Sequence, residues 1–209
     1  MGQVLVVRHG QASFGAEDYD VLSETGEEQA RRLGESLASL QPDLVVHGSL
    51  KRQRGTARIM AETAGWSASL EEDERWNELD QLDQFATLEQ MPDESDASAF
   101  QRWYEQAMGR WSSGEHDADY TESYAAFHDR AVAALDAVAS GGTVVAISSG
   151  GPISALVTRL LDGGPATYAR LLPTTVNTGV TRVVSGRRGL TLVSYNEHTH
   201  LGADLVTYR

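Results

Sequence analysis

The chain has 209 residues, 41% hydrophobic and 22% charged, enough for one medium domain with a substantial buried core. Its 30 acidic against 17 basic residues give a formal net charge of −13, a field that repels nucleic acid and anionic lipid unless a local basic patch overrides it. The absence of cysteine excludes disulfides, thiolate metal sites and a cysteine nucleophile, and with no membrane-length apolar run and no signal-peptide pattern a cytoplasmic protein is expected.

Val4–Val7 has the length and β-branched content of a buried strand, and Arg8, His9 and Gly10 follow it directly. Thr25–Glu28 reads as a capping box, with Ser23 as a rival cap. Behind it Ala30, Leu33, Leu37 and Leu40 form the stripe of an amphipathic helix that Pro42 ends. Asp43–Gly48 is a second short buried strand, and a basic helix follows over about Leu50–Ala64, with Ile59 and Met60 on its buried side. Residues 80–120 are polar and acidic, with Phe85, Phe100, Trp103, Tyr104 and Trp111 scattered among them. They predict a helical lid inserted in a single domain over 1–209, with a short helix around Ala97–Trp111. Asp119–Glu122 caps a long helix bearing Tyr124, Phe127, Ala131, Leu135 and Val138 on one face, and Gly141-Gly142 closes it. Thr143–Ser148 is a third buried strand, and Gly150-Gly151-Pro152 opens another helix to about Leu161. Val176–Ser185 and Leu190–Asn196 are strands joined by the tight turn Gly186–Gly189. This alternation predicts an α/β fold: a mostly parallel central sheet with helices on both faces.

Ligands bind at the carboxyl ends of such strands. The first strand delivers Arg8 and His9. The second delivers Gly48 and the start of a helix carrying Arg52, in the small basic patch Lys51–Arg54 with Arg58 nearby. The third delivers Ser148, Ser149, Gly150 and Gly151 at a helix N-terminus, whose free N–H groups suit an anion. Arg52 alone would read as a solvated surface arginine. Two guanidiniums, an imidazole and an N–H nest on one edge describe a phosphate site, with no metal-ligand cluster and no cofactor motif beside it.

These residues resemble the histidine phosphatase (phosphoglycerate mutase-like) superfamily. The resemblance rests on Arg8-His9-Gly10 after a hydrophobic strand, on Leu22-Ser23, Gly26 and Gln29-Ala30, on GSLKRQRGTA over Gly48–Ala57, and more weakly on Glu122-Ser123 with Arg130. It implies that His9 attacks phosphorus to form a phosphohistidine that water then hydrolyses, with Arg8 and Arg52 holding the phosphoryl oxygens, together with Ser149 and Gly150. It also implies a carboxylic acid as proton donor. Trp76-Asn77-Glu78-Leu79 occupies that place and makes Glu78 the candidate, with Glu71, Glu72 and Glu74 as crowding rivals. The two arginines should lower the His9 pKa and keep the ring neutral.

One departure stands out. Ser149 occupies the position where the family pattern puts a second histidine, and a hydroxyl donates a hydrogen bond without charge. Losing one such donor costs roughly 3 kcal/mol in other enzymes, so turnover is weakened unless His198 or His200 compensates. The departure opens two rivals. Ala146–Gly150 loosely resembles a nucleophile elbow, with Asp162 and His198 following in serine-hydrolase order, but that leaves Arg8 and His9 unexplained. A phospho-ligand binder that lost turnover is the other. A mutase is disfavoured, because Leu79–Phe85 is acidic and residues 93–119 carry seven acids against two arginines, a lid that repels a second anionic group. The expectation is a metal-independent phosphatase acting on a small monophosphate whose leaving group is apolar, neutral or cationic.

Overall fold

The computed structural model describes residues 2–13, 18–87, 97–140 and 142–208. Its strands are β1 (Gly2–Arg8), β2 (Leu44–His47), β3 (Ser69–Glu72), β4 (Thr143–Ser148), β5 (Val180–Gly186) and β6 (Gly189–Glu197). They form one sheet in the order β3-β2-β4-β1-β5-β6. The first four in that order pair in parallel, while β5 runs antiparallel to both β1 and β6. The helices are α1 (Glu24–Ser36), α2 (Lys51–Ala64), α3 (Gln81–Phe85), α4 (Ala97–Ser112), α5 (Tyr124–Val138), α6 (Gly150–Leu160) and α7 (Pro165–Leu171). None of the described helices is long and apolar enough to cross a membrane.

Side chains along a strand alternate between faces, and β1 divides its apolar run accordingly. Val4 and Val6 join Val46, Val144 and Ala146 in a core with Trp111 of α4, Phe127 and Leu135 of α5 and Ile153 of α6. Leu5 and Val7 join Val45, Val145 and Ile147 in a second core with Leu33 of α1 and Met60 of α2. The middle of the sheet is therefore covered on both sides, which is why β1, β2 and β4 read as apolar runs, whereas the edge strand β3 is exposed. The same alternation continues past the core: Arg8 turns towards α6 and His9 towards α2.

Several local expectations change. Ser23, not Thr25, caps α1: its Oγ accepts from Gly26 N–H and also donates to Gln11 Oε1, a second partner that settles the competition. Helix α1 ends at Ser36, so Leu40 packs from the following turn rather than from the helix. Ser123 caps α5, while Asp119 closes a short 3₁₀ turn, Asp117–Asp119. Residues 176–179 are not strand: Gly179 N–H donates to Val176 C=O, and Thr178 takes a φ of 57° beneath the Arg8-His9 step. Strand β3 and helix α7 are additions. Within the expected lid, α4 lies where its aromatic spacing placed it. Phe85 packs on Trp103 at 4.7 Å, and Trp111 packs edge-on to Tyr124, Phe127 and Tyr168, tying α4 to the core. Residues 88–96 of that lid, and Gly141 of the expected helix stop, lie outside the described residues.

Candidate active site

His9 is 5% exposed, at the tip of β1. Its Nδ1 lies 2.7 Å from the Gly10 carbonyl, which can only accept, so Nδ1 carries the proton. The lone pair is then on Nε2, and Arg52 Nε–H donates to it at 3.1 Å. Both partners select one tautomer. Burial first, then the charges of Arg52 and Arg8, push the imidazole well below its usual 6.5, against a smaller upward effect of the Gly10 bond. The ring is held neutral, with its Nε2 lone pair turned towards Arg52. Gly10 is required by packing: a Cβ there would stand 2.4 Å from the Gly26 carbonyl of α1.

Arg52 opens α2 and is oriented by Asp20, whose Oδ1 accepts from Nη1 at 2.6 Å, while its guanidinium lies 5.8 Å from the Tyr19 ring centre. Thr56, one turn on, accepts from Gly10 N–H and donates to the Arg52 carbonyl, fixing the strand tip to the helix. Arg8 is held from the other side, with Nη1 donating to the carbonyls of Thr175 and Tyr208. Burial lowers its pKa, and the Glu78 carboxylate is the largest opposing influence. Its Nε–H is buried with no partner among the described residues. That donor lies beside the N-terminus of α6, 3.7 Å from where a Cβ on Gly150 would stand. An orphaned cationic N–H at a helix N-terminus is a place for an anion oxygen.

Glu78 meets the same helix end. Its Oε2 accepts from Gly151 N–H and its Oε1 from Leu79 N–H, both at 3.0 Å. Of its rivals, Glu72 pairs with Arg54 at 2.6 Å, and Glu71 and Glu74 are exposed. Glu78 also lines an open cleft of about 480 Å3 with Glu74, Asp80, Asp83 and Glu122. Arg130 borders this cleft but is taken by Glu122 through two bonds of 2.6 and 2.8 Å.

Arg8, His9, Arg52, Glu78 and Gly150 thus come together on one edge. Ser149 caps α6 by position, but its side chain is wholly buried and its Oγ accepts from Gln53 Nε2 at 2.9 Å. His198 and His200 do not join the group. His198 Nδ1 donates to the Asn196 carbonyl, and His200 Nε2 bonds Thr178 Oγ1 in a cleft shared with Leu33 of α1 and with Leu37, which follows that helix. Asp162 lies past the far end of α6, so no Ser149–His198–Asp162 relay exists. Sequence reasoning missed Asp20, Gln53 and Thr175. Nothing local marks them, although Gln53 sits inside the basic block already singled out. Among the described residues, no group of three His, Asp or Glu side chains could hold a metal ion.

The sheet order and helical cover are those of the phosphoglycerate mutase-like α/β fold, shared with a phosphoglycerate mutase from Bacillus anthracis str. Sterne (TM-score 0.71, 19% identity, 95% of this chain and 94% of that one). A phosphoserine phosphatase mutant from Entamoeba histolytica, solved with phosphoserine, has the same fold (TM-score 0.72, 23% identity, 97% and 100% covered). The sequence goes further than the fold. Residues 4–198 match the histidine phosphatase superfamily (branch 1), and the chain belongs to that family. It is 30% identical over 181 residues to the probable phosphoglycerate mutase GpmB of Salmonella paratyphi C (strain RKS4594), covering 82% of this chain and 80% of the relative.

Proposed function

We propose that the protein hydrolyses a small phosphate monoester through a phosphohistidine on His9. The observation that carries the proposal is the neutral His9 ring, with Nδ1–H on the Gly10 carbonyl and Nε2 held towards Arg52. A phosphoryl group docked on Arg8 Nε–H, Arg52 and the N-terminus of α6 would draw Arg52 from the lone pair and free Nε2 to attack. The P–N bond forms as the P–O bond to the leaving group breaks, and protonated Glu78 gives its proton to the departing oxygen. Water then loses a proton to the Glu78 carboxylate and attacks phosphorus, the P–N bond breaks, and neutral His9 returns. The Gly10 carbonyl steadies the charged ring in between. Two guanidiniums against the transferring group supply most of what this chemistry asks of a protein.

With Glu74, Glu78, Asp80, Asp83 and Glu122 against Arg75 and Arg130, the cleft beside Glu78 keeps an acidic excess, which supports a hydrolase rather than a mutase because it disfavours a second phosphate or carboxylate and suits a neutral or cationic leaving group. One observation favours a second reading. With Ser149 turned to Gln53 and both late histidines elsewhere, a phospho-ligand binder without turnover has the same arginines. A monoester panel separates them. Aryl phosphate should be hydrolysed in the presence of a chelator, and amino-alcohol phosphates should exceed phosphoglycerates in kcat/KM. A rate abolished by the chelator and untouched by His9→Ala overturns the mechanism. Tight phosphate binding with no release of phenol favours the binder.

A further inference from the structure

Ser149 is a residue well suited to capping a helix, yet its hydroxyl makes no capping bond to α6. It is turned out of its own helix towards α2. The reason is Gln53, fully buried and next in sequence to Arg52. Gln53 Nε2 donates both to Ser149 Oγ, at 2.9 Å, and to the Trp76 carbonyl, at 3.0 Å. Ser148 Oγ donates to that same carbonyl at 2.7 Å. A glutamine fits there only because residue 48 has no side chain: a Cβ on Gly48 would stand 2.0 Å from Gln53 Oε1 and 2.4 Å from Asn77 Oδ1. One amide thus links three pieces of the site. These are α2, which presents Arg52; the N-terminus of α6, which presents Gly150 and anchors Glu78; and the Trp76–Glu78 segment that delivers the carboxyl group.

We propose that Gln53 is a positioning residue: with Gly48 and Ser149 it forms a buried tie that fixes Arg52 against the α6 N-terminus and Glu78, in the place where the family resemblance puts a second imidazole. Ser149, wholly buried, acts through this tie and does not touch the phosphoryl group. The tie sets the distance between the two halves of the anion site, so its loss should be felt most where geometry is most demanding, in the transition state. The proposal rests on the hydrolase reading for its kinetics, but not for its binding readout.

The test is a double-substitution cycle with Gln53→Met, close in volume but unable to hydrogen-bond, Ser149→Ala, and the pair together. Aryl phosphate kinetics, affinity for vanadate and for phosphate, and melting temperature are measured on each. Each single change should lower kcat by about tenfold to a hundredfold, an effect typical of misplacement by about 1 Å. KM and phosphate affinity should move less than about threefold, vanadate affinity should fall with kcat, and the double variant should be no worse than the poorer single. Losses that multiply in the double variant would overturn the tie. So would a lowered melting temperature with kcat and vanadate affinity intact, since the pair would then only fill space. If the wild-type protein turns nothing over, the hydrolase reading fails, and the cycle is read from the vanadate-to-phosphate affinity ratio, where multiplying losses again overturn this proposal alone.

Discussion

The tips of β1 and β2 carry the same dipeptide in the same local geometry. His9-Gly10 and His47-Gly48 both end parallel strands, both histidines are 5% exposed, and both donate from Nδ1 to the following glycine carbonyl, at 2.7 and 2.8 Å. What differs is the charge around them. His9 follows Arg8 and receives Arg52 on its second nitrogen, whereas His47 follows Val46 and its own carbonyl accepts from Asp73 N–H next to β3. The imidazole-to-carbonyl bond is therefore a way of finishing a buried strand that ends in His-Gly. On the proposed mechanism the chemistry comes from Arg8 and Arg52, and among the described residues Arg52 bonds the His9 ring and not the His47 ring.

Breaking each tip gives the largest contrast. His9→Ala should lower turnover of an aryl phosphate at least about a thousandfold, the scale of losing a nucleophile. His47→Ala should leave kcat within about threefold while lowering the melting temperature, since it opens a hole under β2. Equal losses of kcat at both tips would erase the distinction drawn here.

Next in size is the positive charge itself. Arg8→Ala removes the buried, orphaned N–H and should cost about a hundredfold to a thousandfold in kcat. It should also abolish the rise in melting temperature that vanadate gives the wild-type protein through linkage. Arg54→Ala, an exposed residue paired with Glu72, should keep both. An unchanged vanadate shift in the Arg8 variant would place the anion elsewhere. Asp20→Asn acts one step back, by loosening Arg52, and should cost only about tenfold, with a weaker vanadate shift as its signature.

The strand tips were legible because a parallel strand covered on both faces is an apolar run of four to six residues, so the first polar residues after it mark the edge where ligands bind. That reasoning points to Arg8, His9 and Arg52 on one edge, whereas Glu78 is pointed to only by the family resemblance at Trp76–Leu79. It was blind to β3, whose Ser-Leu-Glu-Glu is exposed throughout and carries no apolar signal. Asp20 and Gln53 escaped for another reason. Their partners lie 32 and 96 residues away, and only folding brings them together. The late histidines are a different case: position after the last strand offers them to the site, although a surface place is the ordinary reading of each, and His200 bonds Thr178 in the cleft beside Leu33 of α1.

The smallest effect is on stability against pH. Burial holds His9 well below 6.5, and His128 and His200 at about 4. The unfolded chain binds these protons as pH falls below about 6.5 and the folded one does not, so stability is fullest above that pH and declines towards 4. Urea melts at pH 7.5, 6 and 5 should show a falling midpoint, and His200→Gln should flatten the fall. A midpoint that rises on acidification would contradict the assignment. His9→Ala should flatten it too, a readout of the β1 tip that needs no turnover.

The account is tested most directly by finding where the phosphoryl group goes. Wild-type protein quenched during turnover of an aryl phosphate, then digested and mapped by mass spectrometry under alkaline conditions, should carry one acid-labile phosphoryl group on His9. The His47→Ala protein should carry the same label, and the His9→Ala protein none. Turnover without any covalent phosphoryl group, or with one on Ser149 or His47, would contradict the claim that the guanidinium-flanked tip of β1 is the nucleophile.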